Sequence, residues 1–321
     1  MTTIITDGPI MPSEKYEQAK RAIQEMTLID GFLFDSSIEN EDDAKIVIGN
    51  MLKAFFDRDF KNIEITSQKQ FQAIDTKYHG IRLDAFISED PKDHSLSAKI
   101  IDIEMENRES DKPYLPRRLR YYSALPDAKS LGAGMKYDKI PDFISITISS
   151  YDPFGAGDMY YEARTRLTTH TDISYEDGIT RMFFYTKGKP NFDAMSTFVK
   201  SAEHRKKLQE MLYYIQTGNR PATENADIND IDDVVTRVKM REEVTTEYMR
   251  QCDKEHIIRR ETAEQTALET KRDDALEMIR FDRKFHIPAE TTRERLKTIL
   301  PSDDEINNLF AQIEEEEKAL V

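Results

Sequence analysis

The stretch IIDIEMEN, residues 100–107, constrains the fold of this chain more than any other part of the sequence. Side chains of a β-strand point alternately to opposite faces, so its aliphatic residues share one face. Asp102, Glu104 and Glu106 share the other. Three carboxylates on one face repel one another unless water or cations surround them. The pattern therefore predicts a strand with an aliphatic face and an acidic face that is either solvated or arranged around a cation.

A further acid, Asp84, lies inside the preceding strand candidate, IRLDAFI. If the two strands pair, Asp84 approaches Glu104. Carboxylate oxygens suit Mg²⁺, which usually takes one or two carboxylates and keeps several waters. Such an ion polarises a phosphodiester and helps to form hydroxide. Alternating acids also occur on any half-exposed strand, so the spacing alone leaves a metal site and a solvated face both open.

Hydrophobic periodicity around these strands predicts a mixed α/β or α+β fold. An apolar stripe from Ala44 to Phe55 indicates a helix, because its members recur at offsets of three and four. In a later helix, Pro116 fits only the first turn and Pro126 is expected to end it. The predicted order is a helix over 44–55, strands over 63–71, 81–88 and 98–106, a helix over 114–128, a strand over 143–150, and further strands over 160–167 and 181–186.

The C-terminal part of the chain has a helical pattern from residue 192 onward. TGNRPATENAD, residues 217–227, is a polar linker candidate within it. We therefore predict an α/β domain over 1–218 and a helical C-terminal region over 219–321. Apolar positions after Arg250 do not form a sustained heptad, so a long coiled coil is not expected.

Composition indicates a soluble globular protein, with 38% hydrophobic residues and a net charge of -15. That charge counts against a protein that simply coats nucleic acid. No apolar run approaches the roughly 20 residues that span a bilayer, and the N-terminus has no signal-peptide pattern. The single cysteine, Cys252, excludes an internal disulfide and a cysteine zinc cage. We expect a cytoplasmic protein without membrane contact.

Positive charge is concentrated in KPYLPRRLR, residues 112–120, which holds four basic residues and no acid. Arg118 and Tyr122 are four residues apart and share a helix face. Arginine contacts phosphate with paired donors, and tyrosine stacks or donates to the nucleic-acid backbone. Alternatively, Tyr122 packs inward while the arginines are solvated. We expect Arg118 or Arg120 to point towards the acids.

Motifs for several other activities are missing from the sequence. The six histidines have no metal-ligand spacing. We find no glycine-rich phosphate loop, no nucleophile elbow and no HExxH helix. Nucleotide hydrolysis, acyl transfer and zinc proteolysis therefore have no support, and no nucleotide cofactor is expected.

Five short motifs occur in a consistent order along the chain. They are RLDAF (82–86), IEMEN (103–107), RLRYY (118–122), GMKY (134–137) and YDPFG (151–155). In this combination the chain resembles the PD-(D/E)XK nuclease family transposases, also described as recombination-promoting nucleases. That family is built on a helix, three strands, a helix and a strand. It carries an Asp on the second strand and Glu-x-Lys, or in this branch Glu-x-Gln, on the third.

The resemblance covers about residues 29–249 and implies a restriction-endonuclease-like core with extra strands and a helical C-terminal extension. It implies a DNA endonuclease dependent on Mg²⁺ or Mn²⁺, linked to recombination or mobile elements. Asp84, Glu104 and Glu106 are its expected catalytic and metal-binding residues. DNA is the expected partner, and homodimer formation is left open. The expected DNA contacts are Arg118, Arg120, Tyr121 and Tyr122.

One residue departs from the family pattern. Glu106 stands where the family has Lys or Gln, and a carboxylate cannot supply a positive charge. It could bind a second metal ion, accept a proton from water, or mark a lost activity. The alternative function is therefore a nuclease-fold protein that binds DNA or a protein without cutting. A third interpretation is an assembly protein that acts through its C-terminal helices.

Overall fold

The computed structural model describes most of the chain and divides it into two compact units, Met1–Tyr248 and Met249–Val321. The described residues are 12–60, 63–71, 81–89, 99–131, 134–195, 201–300 and 302–319.

A six-stranded mixed sheet lies at the centre of the first unit. Its strands are β1 Ile63–Phe71, β2 Ile81–Glu89, β3 Lys99–Glu106, β4 Asp142–Ser149, β5 Tyr160–Ala163 and β6 Ile179–Tyr185. Their spatial order is β1-β2-β3-β4-β6-β5. The first three strands are antiparallel neighbours, β4 is parallel to both β3 and β6, and β5 is antiparallel to β6. The predicted mixed α/β class is confirmed.

Helices account for most of the remaining regular structure. They are α1 Pro12–Glu25, α2 Gly31–Ser37, α3 Glu41–Phe56, α4 Leu115–Ser130, α5 Ala202–Thr217, α6 Ala226–Lys239, α7 Glu242–Lys284, α8 Ala289–Leu296 and α9 Asp303–Ala319. No described helix is both long enough and apolar enough to cross a membrane.

One face of the sheet packs against helices α1, α2, α3, α5 and α6 and forms the main hydrophobic core. Ile101, Ile103 and Met105 of β3 lie in this core, as the alternation in the sequence predicted. The rings of Phe55 on α3 and Phe184 on β6 stack there with centroids 4.9 Å apart. Burial of these apolar side chains is the main stabilising contribution to the first unit.

Helix α4 packs on the opposite face of the sheet. Its residues Leu119 and Tyr122 contact Phe183, and Leu125 packs with Leu83. This helix covers the acidic face of β3, which is therefore not solvated. Strand β3 is buried on both faces, as is common for a strand with a parallel neighbour and a crossover helix.

Element boundaries differ from the predictions in a few places. Helix α4 continues through Pro126 to Ser130, although Pro126 was expected to end it. Proline has a helix-compatible φ and removes one hydrogen bond, and burial of Leu125 and Pro126 offsets that loss. Strand β5 ends at Ala163 rather than at residue 167. Residue 98 of the third predicted strand lies outside the described residues.

The division into compact units also differs from the predicted boundary after Gly218. Ile231 and Val234 of α6 lie in the main core of the first unit. Arg237 and Arg241 ion-pair with buried Asp43 of α3 at 2.6 and 2.7 Å. The polar linker therefore leads into another core helix, and the compact units divide after Tyr248.

The second unit has a hydrophobic core of its own, formed by the C-terminal part of α7 with α8 and α9. Ile279, Leu296 and Leu309 are among its buried residues. Asp282 is buried there and accepts two bonds from Arg295 Nη1, at 2.8 and 2.9 Å, and one from Thr292 Oγ1 at 3.0 Å. This buried carboxylate is thus fully compensated by its partners.

Limited trypsin digestion is expected to cut α7 before it cuts the linker. The guanidinium of Arg220 in the linker pairs with Asp232 at 2.6 Å and Asp233 at 2.9 Å, whereas residues 256–274 of α7 are exposed throughout. Exposed backbone with few tertiary contacts opens at a low free-energy cost. Mass spectrometry should find early fragments ending near Arg259 or Arg260. An earlier fragment ending at Arg220 would contradict this order of cleavage.

Candidate active site

Strands β2 and β3 separate at Asp84 and Glu104. Their regular pairing extends from Glu89 opposite Lys99 to Ala85 opposite Ile103. Beyond that pair, the Asp84 N–H donates to Glu104 Oε1 at 3.2 Å, and the Met105 N–H donates to Asp84 Oδ2 at 3.4 Å. Side-chain carboxylates thus replace backbone partners on both strands. The predicted approach of Asp84 to Glu104 is confirmed.

A row of hydroxyl side chains on β4 lies beside the acids of β3. The register pairs are Asp102 with Ser145, Glu104 with Thr147 and Glu106 with Ser149. All six of these residues are buried. Serine and threonine alternate with aliphatic residues in FISITIS, the signal that could have predicted this row. A polar layer therefore lies between the sheet and α4.

Asp102 is the most buried of the three acids on β3. It is 0% exposed, and neither carboxylate oxygen has a hydrogen-bond partner within the part of the chain that the structure describes. The same holds for Ser145 Oγ and Thr147 Oγ1. Buried polar atoms are almost always paired, with protein, water or an ion. The sequence placed Asp102 on the acidic face but did not single it out.

Electrostatics within the layer favour protonated carboxyl groups when no cation is present. Burial raises the pKa of Asp102 well above its ordinary value and the charge of Asp84 raises it further, while a side-chain interaction with Glu104 opposes the rise. Burial also raises the pKa of Glu104, followed by the charges of Asp102 and Asp84. The bond from the Asp84 N–H and the positive charge of Arg118 oppose that rise. The three carboxyl groups therefore form one electrostatically coupled cluster.

Glu106 differs from the other acids of β3, because it has a cationic partner. Its carboxylate ion-pairs with the guanidinium of Arg118 on α4. Arg118 Nη1 also lies 3.7 Å from a carboxylate oxygen of Asp111, and the guanidinium lies 5.9 Å from the centre of the Tyr122 ring. The expectation that Arg118 or Arg120 points towards the acids is met by Arg118.

The four predicted DNA contacts divide between two sides of α4. Arg118 and Tyr122 face the acidic layer, and burial raises the pKa of Tyr122 to about 12. Arg120 and Tyr121 are exposed, and so is Arg117. The inward orientation of Tyr122 matches the alternative in which it packs against the sheet. The outer side of α4 therefore presents two arginines and a tyrosine to solvent.

The YDPFG motif forms a tight loop that follows β4. Burial would raise the pKa of Asp152, but bonds from the Gly155 N–H, the Tyr161 hydroxyl and the Gly157 N–H lower it to about 2. These bonds measure 2.8, 2.8 and 2.6 Å. Gly155 and Gly157 have positive φ angles of 85° and 76°, which glycine adopts without a steric penalty. The motif thus has a structural role beside the site.

The structure brings together two carboxylates of the expected metal set rather than three. No group of three or more His, Cys, Asp or Glu side chains in the described ranges has the geometry to hold a metal ion. Of the expected set, Asp84 and Glu104 bond to each other's strands, whereas Glu106 pairs with Arg118. Asp84 and Glu104 lie beside the buried carboxylate of Asp102. Two carboxylates with water match the usual coordination of Mg²⁺.

Comparisons with known proteins found no match for this chain among family models, curated proteins or solved structures.

Proposed function

We propose that this protein is a divalent-metal-dependent DNA endonuclease with a restriction-endonuclease-like core, linked to recombination or mobile elements. The observation that carries the proposal is the pairing of Asp84 with Glu104 where β2 and β3 separate, beside the buried carboxylate of Asp102. The order α3, β1, β2, β3, α4, β4 matches the core order of the family that the motifs resemble.

The acids of the cluster have two tasks in this mechanism. Asp84 and Glu104 would hold Mg²⁺ or Mn²⁺, and the bound ion supplies the charge that polarises a phosphodiester and lowers the pKa of water. Asp102 lies beside them and can accept a proton, because burial raises the pKa of its carboxyl group above the ordinary value. Helix α4 covers the layer and keeps bulk water out, which strengthens the electrostatic interactions inside.

DNA binding is expected to depend on the outer side of α4. Replacing Arg117 and Arg120 together by Ala should weaken binding at low salt and lower the salt dependence of log Kd by about two, since each phosphate contact contributes about one. Fluorescence anisotropy with labelled DNA between 50 and 200 mM salt, roughly the range in which such effects are large, measures both quantities. Replacing exposed Arg259 and Arg260 of α7 by Ala removes the same charge and should change neither the DNA affinity nor its salt dependence. Equal losses in the two double variants would exclude α4 as the contact.

The decisive test of the enzyme is incubation of supercoiled plasmid with the purified protein and Mg²⁺ or Mn²⁺. Nicked and linear products should form, stop with a chelator, and disappear with Glu104→Ala. Linear and single-stranded substrates test the same site when the plasmid is resistant. Cleavage that survives in Glu104→Ala would show a contaminating nuclease, and inertness on every substrate with both ions would refute the proposal.

A second candidate function is a DNA- or protein-binding module that does not cut. Three observations favour it: the ion pair of Glu106 with Arg118, the net charge of -15, and the lack of a three-ligand metal group among described residues. Metal-independent DNA binding without cleavage would support this function. Its affinity should then be the same for wild type and Glu104→Ala.

A further inference from the structure

We propose that Glu106 is a positioning residue that holds Arg118 at the acidic cluster, and that Arg118 contacts the phosphate that is attacked. This inference rests on the proposed nuclease function and assigns roles within that site. It gives Glu106 a task other than metal binding. A glutamate at position 106 cannot supply the positive charge of the family's lysine. In this assignment, Arg118 on helix α4 supplies that charge.

The first support is the ion pair itself. The side chains of Glu106 and Arg118 are 7% and 26% exposed, so the pair lies largely out of water. A buried guanidinium–carboxylate pair costs desolvation energy, which only good geometry and further bonds offset. While it is held in this pair, Glu106 is not free to bind a metal ion beside Asp84 and Glu104.

The second support is spare hydrogen-bonding capacity on Arg118. Its Nε is buried and has no partner within the described ranges. A guanidinium has five N–H donors in a planar fork, and such forks bind phosphate oxygens with two parallel bonds. Glu106 and the more distant Asp111 carboxylate, at 3.7 Å, engage only part of that fork.

The third support is the position of the charge. Arg118 is close enough to Glu104 for its positive charge to oppose the rise in the Glu104 pKa. The centre of the Tyr122 ring lies 5.9 Å from the guanidinium, on the same side of α4. Arg117 and Arg120 point to solvent on the other side of α4. A phosphate that approaches Asp84 and Glu104 therefore meets Arg118 first among these three arginines.

A double-mutant cycle of Glu106→Gln and Arg118→Gln tests the assignment. Mn²⁺ affinity is measured by calorimetry, and single-turnover cleavage is measured at saturating DNA. Arg118→Gln should slow cleavage by at least about 100-fold, the loss typical of a donor to a transition-state oxygen. Glu106→Gln should slow it about tenfold, and the double variant should be no slower than Arg118→Gln, because positioning matters only when Arg118 is present. Mn²⁺ affinity should not fall in Arg118→Gln, because that change removes a positive charge beside Glu104, and it should fall by less than about tenfold in Glu106→Gln, because Glu106 is not a ligand of the ion.

Matched controls separate this role from a structural one. Glu255 and Arg259 form an exposed ion pair at 3.5 Å on α7, and the same two changes there should leave cleavage unchanged. Arg118→Lys keeps the charge without the fork and should restore only part of the rate. It also serves as the folded variant if Arg118→Gln is unstable. A merely structural pair would lower the melting temperature without this ordering of rates.

Two results would overturn the inference. One is a loss of Mn²⁺ affinity of tenfold or more in Glu106→Gln, which would make Glu106 a metal ligand. The other is additive effects in the double variant, which would show that the residues act separately. If wild type cuts no DNA, the nuclease proposal fails by itself. The Glu106–Arg118 assignment is then tested by DNA affinity. Both single variants should lower the affinity, and the double variant should lower it by less than the sum of the two effects. An unchanged affinity in the single variants would refute the assignment.

Discussion

Replacing Asp84 by Asn is expected to slow Mg²⁺-dependent cleavage by at least about 100-fold while the fold is retained, because a bound metal ion stabilises the transition state by several kcal/mol. Asn keeps the oxygen that accepts the Met105 N–H but removes the negative charge that holds the ion. Both the separation of β2 from β3 and the packing of α4 should therefore persist. The change isolates the charge of Asp84 from its structural bond.

Single-turnover cleavage and Mn²⁺ calorimetry measure the two effects of Asp84→Asn. The matched control is Asp172→Asn, which removes one charge from an exposed loop residue and should behave as wild type. Circular dichroism and melting temperature establish that both variants fold. Cleavage by Asp84→Asn at the wild-type rate would show that Asp84 does not belong to the site. It would also refute the metal arrangement proposed above.

Replacing Asp102 by Asn is expected to stabilise the metal-free protein at neutral pH, because the substitution removes a carboxylate charge that burial and the charge of Asp84 disfavour. Burial raises the pKa of Asp102 above the unfolded value of 3.8. A raised pKa gives stability that is fully present below the unfolded pKa and is lost as pH rises through the folded pKa. The variant has no proton to lose at this position, so its advantage should grow with pH.

Thermal unfolding of the metal-free protein at several pH values between the ordinary Asp pKa and neutrality measures this difference. The melting temperature should rise by about 2–4 °C for each kcal/mol gained in the free energy of unfolding, in a protein of this size class. Asp138→Asn, at an exposed position, provides the control. Added Mg²⁺ should stabilise wild type more than Asp102→Asn, because a cation relieves the repulsion that the substitution removes. A variant less stable than wild type at neutral pH would show that Asp102 has a partner that stabilises its charged form.

Local pattern in the sequence predicted the elements that surround the site. The β3 alternation identified both faces of the strand, and the stripe from Ala44 to Phe55 identified α3. These predictions succeed because a strand repeats every two residues and a helix every 3.6 residues, whatever lies around them. The approach of Asp84 to Glu104 followed from one further assumption, that neighbouring strands pair.

Burial of the acidic face could not be predicted in the same way. Acidic and aliphatic residues alternate in the same way in a half-exposed strand and in a strand whose acidic face is covered by a polar layer. The difference lies in α4, which packs Leu119 and Tyr122 over that face through contacts with Phe183 and Phe86. The boundary predicted after Gly218 and the division into compact units after Tyr248 differ for a related reason. The polar composition of residues 217–227 does not reveal that α6, which follows them, enters the main core.

The sequence by itself determined the spacing of Asp102, Glu104 and Glu106, the mixed α/β class, and the presence of a basic segment after the acidic strand. Only the tertiary structure decided which of these acids belong together. It brings Glu104 next to Asp84 and Asp102, and it pairs Glu106 with Arg118. The physical reason is that carboxylate pKa values and ion pairs depend on burial and on charges within a few ångströms, which the crossover from β3 through α4 to β4 brings together.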